Sequence, residues 1–381
     1  MRSRADSRPS LLVLTTDCPP SFGGIQRIIH ELGCRLTPRW EVTVIAPNAE
    51  ASHAYDNQAP FRVVRTRSTW GRSRLSVLSE MTRVARATPT DLALAAHVNA
   101  LGPLVSAARG RPLVAIVHGS ELWAPHTQLV TRTLGRRLRR VMAVSRFTAV
   151  QATRAGIPAE RIVLTPLGAS VAVASSEGDA VLRRLNLVID AQVAPYFVTV
   201  ARLCEPHKGQ DLVIRALPSL LRRNPRVRYM IAGKGPLEER FSALADRLGV
   251  AHAVHFLGPV NEAVKSTLLR NCRAFVMVSR EVRRPALFEG FGIAYLEAAL
   301  VGRPSLGGRA GGASDAVVDG ETGLLVNPLS VAEITKALLR LLEDPDYADS
   351  LGRRARERAT ANYTWERAIE RMEVCLESVS R

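Results

Sequence analysis

Long hydrophobic runs are missing from this 381-residue sequence, in which no stretch approaches the roughly 18 apolar residues that a membrane-spanning helix needs. Residues 1–10 are charged and precede only four apolar residues, which is too short for the core of a signal peptide. The five cysteines show neither CxxC nor metal-ligand spacing, as is typical of proteins in a reducing compartment. These absences predict a cytoplasmic protein that has no spanning helix.

Lysine is also scarce, since it supplies only four of the 52 basic residues. The net charge of +17 is carried mostly by arginine in residues 1–170, whose own net charge is +13. Aromatic residues make up 5% of the chain, few of them interleave with the basic runs, and no nucleic-acid-binding motif is present. We therefore expect no nucleic-acid partner.

One short segment concentrates the positive charge among apolar residues. Its basic residues are Arg132, Arg136, Arg137, Arg139 and Arg140, and its apolar residues are Leu129, Val130, Leu134 and Leu138. This pattern predicts one helix with a cationic side and an apolar side, which can dock on an anionic membrane because each surface arginine contributes about 1 kcal/mol. The pattern therefore predicts either peripheral contact with the inner face of the cell membrane or a solvated basic strip whose apolar side packs into the protein.

Strand-like and helix-like patterns alternate along the chain in two series, as in proteins built on parallel sheets. A chain of this length and 46% hydrophobic content supports two domains with their own cores. The small, polar stretch 169–179 is typical of a linker. We predict an α/β protein with Rossmann-like domains at 1–175 and 190–362 and a last helix within 364–381.

Two carboxylates eight residues apart are the most informative feature of the second half. Glu289 is followed by Gly290, Phe291 and Gly292, where a helix is predicted to begin, and Glu297 lies within that helix. Peptide N–H groups at such a helix start attract phosphate oxygens. Eight helical residues rise roughly 12 Å, which exceeds the separation of a glycoside hydrolase pair. The spacing suits a long ligand, such as a nucleotide sugar, that has hydroxyls at both ends.

Cationic and glycine-rich loops follow several predicted strands, at the edge where open α/β sheets bind ligands. Arg202 and Lys208 follow the strand 196–201 and are suited to neutralising a diphosphate. Gly23 and Gly24 follow the first strand and allow a ligand to approach the start of the next helix. His118 ends another strand, so its side chain is expected either to point toward the ligand or to cap that strand.

The stretch Phe288–Ala298 resembles the signature of the retaining glycosyltransferases of family 4, which have the GT-B fold of two domains facing a cleft. The resemblance implies that Glu289 binds sugar hydroxyls, that Glu297 binds the ribose, and that Arg202 and Lys208 bind the diphosphate. It extends the donor-binding set to Gly24, Gly258, Gly290, Phe291 and Gly292. It further implies that the last helix packs back on the first domain.

The same resemblance assigns residues near the reacting centre and the acceptor. It places His118 beside the reacting sugar, as a catalytic residue together with Glu289, and it places Gly23, Ser145 and Arg146 on the acceptor side. Ser145 is also a predicted helix N-cap. The loop 311–315 departs from the family pattern, because Ser314 and Asp315 replace a Pro-Glu pair. Donor contacts of that loop are therefore expected only from its backbone.

Details of the motifs are similar to those of bacterial phosphatidylinositol mannosyltransferases that use GDP-mannose. The resemblance implies transfer of a hexosyl group from a nucleotide-diphosphate sugar to a hydroxyl of a lipid or small-molecule acceptor, without a metal or other cofactor. A transferase that uses UDP-glucose or UDP-N-acetylglucosamine is the alternative within the family. A basic, non-catalytic protein that binds sugar nucleotides is the alternative of another class.

Overall fold

The chain forms two units in a computed structural model that describes residues 8–380 except 22, 72, 109, 175, 186–187, 190–191 and 284–286. The first unit runs to Leu167 and is completed by the chain from Trp365 onwards, and the second unit is Gly168–Thr364. Within these described residues, no helix is both long enough and apolar enough to cross a lipid bilayer.

A parallel sheet of seven strands, in the order β3-β2-β1-β4-β5-β6-β7, forms the centre of the first unit. Its strands are β1 (Ser10–Leu14), β2 (Glu41–Ala46), β3 (Arg62–Arg65), β4 (Leu92–Ala95), β5 (Leu113–Val117), β6 (Arg140–Ala143) and β7 (Ile162–Leu164). The helices between them are α1 (Gly24–Leu36), α2 (Ser52–Gln58), α3 (Arg74–Ala87), α4 (Leu101–Ala107), α5 (Pro125–Leu134) and α6 (Arg146–Arg154).

The second unit contains a parallel sheet of six strands in the order β12-β11-β10-β13-β14-β15. Its strands are β10 (Tyr196–Val200), β11 (Arg228–Ala232), β12 (Val254–Gly258), β13 (Ala274–Met277), β14 (Ser305–Gly308) and β15 (Gly323–Val326), and a separate antiparallel pair is formed by β8 (Val188–Ile189) and β9 (Gln192–Val193). Its helices are α7 (Ser176–Arg184), α8 (Gln210–Arg223), α9 (Glu238–Arg247), α10 (Glu262–Asn271), α11 (Ile293–Leu300), α12 (Ala313–Ala316), α13 (Val331–Glu343) and α14 (Pro345–Asn362).

Apolar strand runs explain why each sheet lies in the middle of its unit. Leu11–Leu14 of β1 is at most 2% exposed, and Tyr196–Val198 of β10 is fully buried. Such continuous apolar runs are typical of parallel strands that are covered by helices on both faces. The strand order reverses beside β1 and beside β10, so the ligand-binding edge of each sheet is expected where these strands end.

The predicted linker 169–179 is wrong in part, because this stretch contains the start of a packed helix. Helix α7 lies against α10, and a Cβ at Gly178 would come within 2.2 Å of the Thr267 hydroxyl. The Ala169 N–H donates to the Tyr363 carbonyl at 2.8 Å, which ties this segment to the second unit. Small side chains here permit close packing, and the same composition is typical of linkers.

The last helix, α15 (Trp365–Ser380), belongs to the first unit and packs on α1. Trp365 is 1% exposed, and the buried Glu373 carboxylate accepts a hydrogen bond from the Trp40 indole N–H at 3.0 Å. Arg39 forms an ion pair with the same carboxylate. A buried carboxylate requires such partners, so this pair of contacts fixes α15 on the first unit.

The predicted basic amphipathic helix is wrong. Helix α5 ends at Leu134, residues 135–137 form a 3₁₀ turn, and Arg140 is the first residue of β6. Leu138 is 1% exposed, whereas Leu129 is 65% exposed, so the apolar residues do not share one side. The chain turns here because Leu138 fills the core beside the start of β6. Arg136, Arg137, Arg139 and Arg140 therefore lie around the turn between α5 and β6.

Replacement of Glu373 by alanine should destabilise the first unit, because the Trp40 indole loses its buried acceptor. We expect the free energy of unfolding to fall by about 1–3 kcal/mol. Urea denaturation followed by tryptophan fluorescence measures this change, since all four tryptophans lie in the first unit. Glu377→Ala, at an exposed position of the same helix, should change stability by less than about 0.5 kcal/mol. Equal losses in the two variants would contradict this role for Glu373.

Candidate functional site

A contact between Lys208 and Glu289 joins two of the predicted site residues in the second unit. The Lys208 Nζ lies 2.5 Å from the Glu289 Oε2, and both side chains are largely buried. Lys208 ends a 3₁₀ turn after β10, and Gly209, with a φ of 81°, is the N-cap of α8. A Cβ at Gly209 would lie 2.4 Å from the Val278 carbonyl oxygen, so glycine is required for this approach.

The Glu289 carboxyl is held in its ionised form. Burial by itself would raise its pKa, but the charge and the hydrogen bond of the Lys208 ammonium group outweigh this effect, and the net pKa is lowered. The loop after β14 holds the backbone of the same residue, because the Gly312 N–H donates to the Glu289 carbonyl at 2.7 Å. A Cβ at Gly311 would lie 2.4 Å from that carbonyl oxygen. The result is a buried carboxylate in a fixed place, ready to accept hydrogen bonds.

The start of α11 differs from its predicted arrangement in one respect. The helix begins at Ile293, after Gly292 with a φ of 91°, so Glu289 lies four residues before it and the eight-residue helical rise does not apply. Donation from the Phe291 N–H to a phosphate stays a prediction. The Phe291 ring is 2% exposed and lies against the ring of Tyr363, with centroids 5.9 Å apart. Phe291 thus anchors the turn in the core.

The second carboxylate of the motif, Glu297, has a lysine partner that the sequence analysis did not identify. The Lys265 Nζ lies 2.7 Å from Glu297 Oε1 and 2.9 Å from Glu262 Oε1. Burial would lower the Lys265 pKa, but the two carboxylates raise it overall, so the ammonium group stays charged. The available signal was the scarcity of lysine together with the Glu-Lys pair at i, i+3 on α10.

A neutral histidine next to Lys208 is a second residue that sequence reasoning missed. His207 is 3% exposed, and burial and the adjacent Lys208 lower its pKa to about 4. Its Nδ1 has no hydrogen-bond partner in the described part of the chain. The imidazole therefore adds no positive charge beside Lys208 near neutral pH. Its polar ring borders the Lys208–Glu289 pair.

Arg202 follows β10 and Gly258 ends β12, which is separated from β10 by β11, and neither residue joins the Lys208–Glu289 contact. The Arg202 side chain is 70% exposed, and its Nη2 lies 4.0 Å from Glu205 Oε1. Gly258 is the last residue of β12, with a φ of 66° and open space where a Cβ would stand. Both residues can therefore approach a ligand without displacing a packed neighbour.

In the first unit, Gly23 and Gly24 form a tight entry into α1. A Cβ at Gly23 would lie 2.3 Å from the Gln26 amide oxygen, and Gly24 is the first residue of the helix. The Gln26 amide nitrogen donates to Asp17 at 3.3 Å, which links the helix start to the loop after β1. The glycines thus allow the chain to turn closely around its own side chains.

His118 follows β5 and is fixed by three contacts. Its Nε2–H donates to the Ala96 carbonyl at 2.7 Å, and its backbone N–H donates to Glu121 Oε1 at 2.5 Å. Its ring stacks on His97, with centroids 6.2 Å apart. Burial lowers the His118 pKa, so the ring is neutral and its Nδ1 is an acceptor. This tautomer suits the binding of a hydroxyl donor.

Ser145 is the N-cap of α6, as predicted. Its hydroxyl accepts the Thr148 N–H at 3.0 Å and donates to the Thr148 hydroxyl at 2.9 Å, and the residue is completely buried. The hydroxyl predicted on the acceptor side therefore lies in the core. Arg146, the first residue of α6, is exposed.

Among the described residues, no group of three or more His, Cys, Asp or Glu side chains is arranged to hold a metal ion. Asp344 and Asp346 have the spacing of a D-x-D motif, which the sequence analysis did not note. The Asp344 carboxylate accepts the Tyr347 N–H at 2.9 Å and caps α14. This capping contact explains Asp344 without a metal.

Two family models match nearly the whole chain in succession. The model described as Glycosyltransferase Family 4 matches residues 22–173, and the model described as Glycosyl transferases group 1 matches residues 191–358. The GDP-mannose-dependent alpha-(1-6)-phosphatidylinositol monomannoside mannosyltransferase of Mycolicibacterium smegmatis is 34% identical over 93% of this chain and 95% of its own length. The protein of that name in Mycobacterium tuberculosis is 32% identical over the same shares.

Solved structures of similar fold cover almost all of the chain. Anabaena HepE in complex with UDP-glucose is 22% identical, covers 97% of this chain and 99% of its own, and has a TM-score of 0.80. Sucrose-phosphate synthase of Thermosynechococcus elongatus is 18% identical, with the same coverage and a TM-score of 0.81. At such identities the likeness shows the fold alone. The family matches, the relatives and this fold together establish that the chain belongs to the family 4 glycosyltransferases, as a hexosyltransferase of GT-B fold.

Proposed function

We propose that this enzyme transfers a mannosyl group from GDP-mannose, with retention of configuration, to a hydroxyl of a phosphatidylinositol mannoside lipid. The observation that carries the proposal is the pairing of Lys208 with Glu289, just before α11, and of a second lysine, Lys265, with Glu297 within that helix. The choice of GDP-mannose and of the lipid is supported by the relatives at 34% and 32% identity, whose names specify both.

The donor diphosphate is assigned to Lys208 and Arg202. An ammonium group offers three donors, so Lys208 can keep its bond to Glu289 and also contact a phosphate oxygen. The exposed Arg202 can add a bidentate contact without breaking a strong ion pair. The ionised Glu289 accepts hydrogen bonds from hydroxyls of the mannose, and Glu297 accepts them from the ribose. Gly24, Gly258 and the glycines beside Phe291 contribute backbone.

In the proposed reaction the bond between the sugar C1 and the phosphate oxygen breaks while C1 bonds to the acceptor oxygen on the same face. The acceptor hydroxyl gives its proton to the leaving phosphate oxygen. Lys208 and Arg202 stabilise the charge that develops there, which is the part of the transition state with the greatest need of stabilisation. The His118 Nδ1 accepts a hydrogen bond from a hydroxyl of the sugar. The two cationic residues take the place of a metal.

The acceptor side is assigned to Gly23 and to the exposed Arg146. Ser145 caps α6 and so supports the start of the helix that carries Arg146. A lipid acceptor requires the enzyme to work at a membrane surface. We therefore assign it to the cytoplasm with peripheral contact at the inner face of the cell membrane. The net charge of +13 in residues 1–170 supports attraction to anionic lipid.

The purified protein should transfer mannose from GDP-mannose to a phosphatidylinositol monomannoside acceptor at the same rate with and without excess EDTA. Radiolabelled transfer, compared across GDP-mannose, UDP-glucose and UDP-N-acetylglucosamine, measures the donor preference. Transfer from a UDP sugar but not from GDP-mannose would contradict the assignment of GDP-mannose as the donor. Loss of transfer in EDTA that Mg²⁺ or Mn²⁺ restores would contradict the metal-independent mechanism, and nucleotide binding without any transfer would favour a non-catalytic protein.

Lys208→Ala should lower kcat/KM for the donor by roughly 10- to 150-fold, because a charge-assisted contact contributes about 1.5–3 kcal/mol. Steady-state kinetics with varied GDP-mannose provides the measurement. Lys336→Ala is the matched control, since Lys336 is exposed on α13 and lies in the same unit. A Lys208 variant within twofold of the control would contradict the diphosphate assignment.

Substitutions of Glu289 and of Glu297 should differ in their effects on kcat and on GDP binding. Glu289→Ala should lower kcat more than it weakens binding of GDP, because its proposed partner is the sugar. Glu297→Ala should chiefly weaken GDP binding, measured by calorimetric titration, and Lys265→Ala should do the same because it removes the lysine that holds Glu297. Lys336→Ala again serves as the control. The reverse pattern would mean that the donor lies in the opposite direction along α11.

A further inference from the structure

An open groove in the first unit lies at the amino-terminal ends of β5 and β6. Its volume is about 620 Å³, within the usual range for ligand pockets. His118 and Ser145 follow the carboxyl-terminal ends of these strands, so the groove is on the opposite edge of the sheet, roughly 16 Å away along β5. The groove is therefore separate from the residues assigned to the transfer reaction.

Arginine dominates the lining of this groove. The lining contains Arg111, Arg136, Arg137, Arg139, Arg140 and Arg161, and Glu160 is its single acidic residue. Within the described residues, none of these six guanidinium groups forms an ion pair with a carboxylate. Elsewhere in the first unit, Arg35, Arg39 and Arg65 each have a carboxylate partner.

Three of the six arginines are held in place by backbone carbonyls. Arg161 donates to Leu138 at 3.0 Å, Arg111 donates to Thr88 at 3.2 Å, and Arg140 donates to the Glu160 carbonyl at 3.5 Å. Each of these contacts uses one guanidinium nitrogen, and each guanidinium carries five N–H donors. Remaining donors of these side chains can therefore bind a ligand from prearranged positions.

The other three arginines, Arg136, Arg137 and Arg139, are exposed at the rim. They come from the turn that connects α5 to β6, where burial of Leu138 forces the chain to change direction. Six like charges around one concave surface repel one another, and a bound anion relieves this repulsion. Guanidinium forks match phosphate oxygens in a bidentate manner, so phosphate is the anion that this groove fits best.

We propose that this arginine groove is a second anion site, which binds phosphate groups independently of the donor site. Its ligand is a phosphate ester or diphosphate, which can come from a phospholipid headgroup or from a soluble compound. The proposal does not depend on which nucleotide sugar the enzyme uses. A solvated basic surface without a ligand is the opposing outcome.

The test is calorimetric titration with inorganic pyrophosphate at low salt, with GDP present at saturation so that the donor site is occupied. Wild-type protein should bind one further pyrophosphate per chain. The double variant Arg136→Ala/Arg137→Ala should weaken this binding at least tenfold and leave GDP affinity unchanged. Both substitutions preserve the backbone carbonyl of residue 136, which accepts a hydrogen bond from Arg161.

Arg183→Ala/Arg184→Ala is the matched control, because it removes two adjacent exposed arginines from α7 in the second unit. This control should bind pyrophosphate within twofold of wild type. Equal weakening in both double variants, or no binding of pyrophosphate by wild type, would overturn the proposal. If the groove variant loses GDP affinity as well, it is misfolded. The single variant Arg139→Ala then decides, and it should weaken pyrophosphate binding at least threefold.

Sedimentation with vesicles distinguishes the two sources of phosphate. Vesicles of phosphatidylcholine containing phosphatidylinositol are compared with vesicles of phosphatidylcholine alone. If the groove variant loses both pyrophosphate binding and sedimentation with the anionic vesicles, the ligand is a lipid headgroup. If it loses only pyrophosphate binding, the ligand is soluble. Retention of both activities by the groove variant contradicts the site.

Discussion

The contact between the Lys208 ammonium and the Glu289 carboxylate is the constraint on which the donor-site assignment depends. Both groups are largely buried, and a buried charge is tolerated only when it is paired. The surrounding backbone is shaped to allow this pair, since Gly209 passes close to the Val278 carbonyl and Gly311 passes close to the Glu289 carbonyl. The glycines therefore fix where the two charges meet.

A second lysine–carboxylate pair repeats the arrangement eight residues later in the chain, within α11. Lys265 and Glu297 lie 2.7 Å apart, and two of the chain's four lysines are thus used on the two carboxylates of one motif. An ammonium partner favours the ionised form of a carboxylate, which accepts hydrogen bonds from hydroxyl donors. Two such carboxylates on one segment suit a ligand with hydroxyls at both ends, as a nucleotide sugar has.

Much of the fold could be predicted from the sequence because its signals are local. Apolar strand runs alternate with amphipathic helices, and the motif from Phe288 to Ala298 is contiguous, so both can be recognised without distant contacts. Ser145 was recognisable as an N-cap for the same reason. The partner of Glu297 could not be found in this way, since Lys265 comes from α10, which is 32 residues earlier in the chain.

Wrong predictions arose where one composition fits two structures. Small residues at 169–179 are typical of linkers, yet Gly178 is small because Thr267 packs on it. The arginines near 136 follow a helical spacing, yet the need to bury Leu138 ends the helix early. The eight-residue helical rise between Glu289 and Glu297 does not apply, because Glu289 lies before α11 and not within it.

The most direct test of the donor site is a crystal structure of the enzyme with GDP-mannose bound. We expect a diphosphate oxygen within hydrogen-bond distance of Lys208 Nζ, a mannose hydroxyl on the Glu289 carboxylate and a ribose hydroxyl on Glu297. A nucleotide bound elsewhere, or with its base at Glu289 and its sugar at Glu297, would contradict the donor-site assignment.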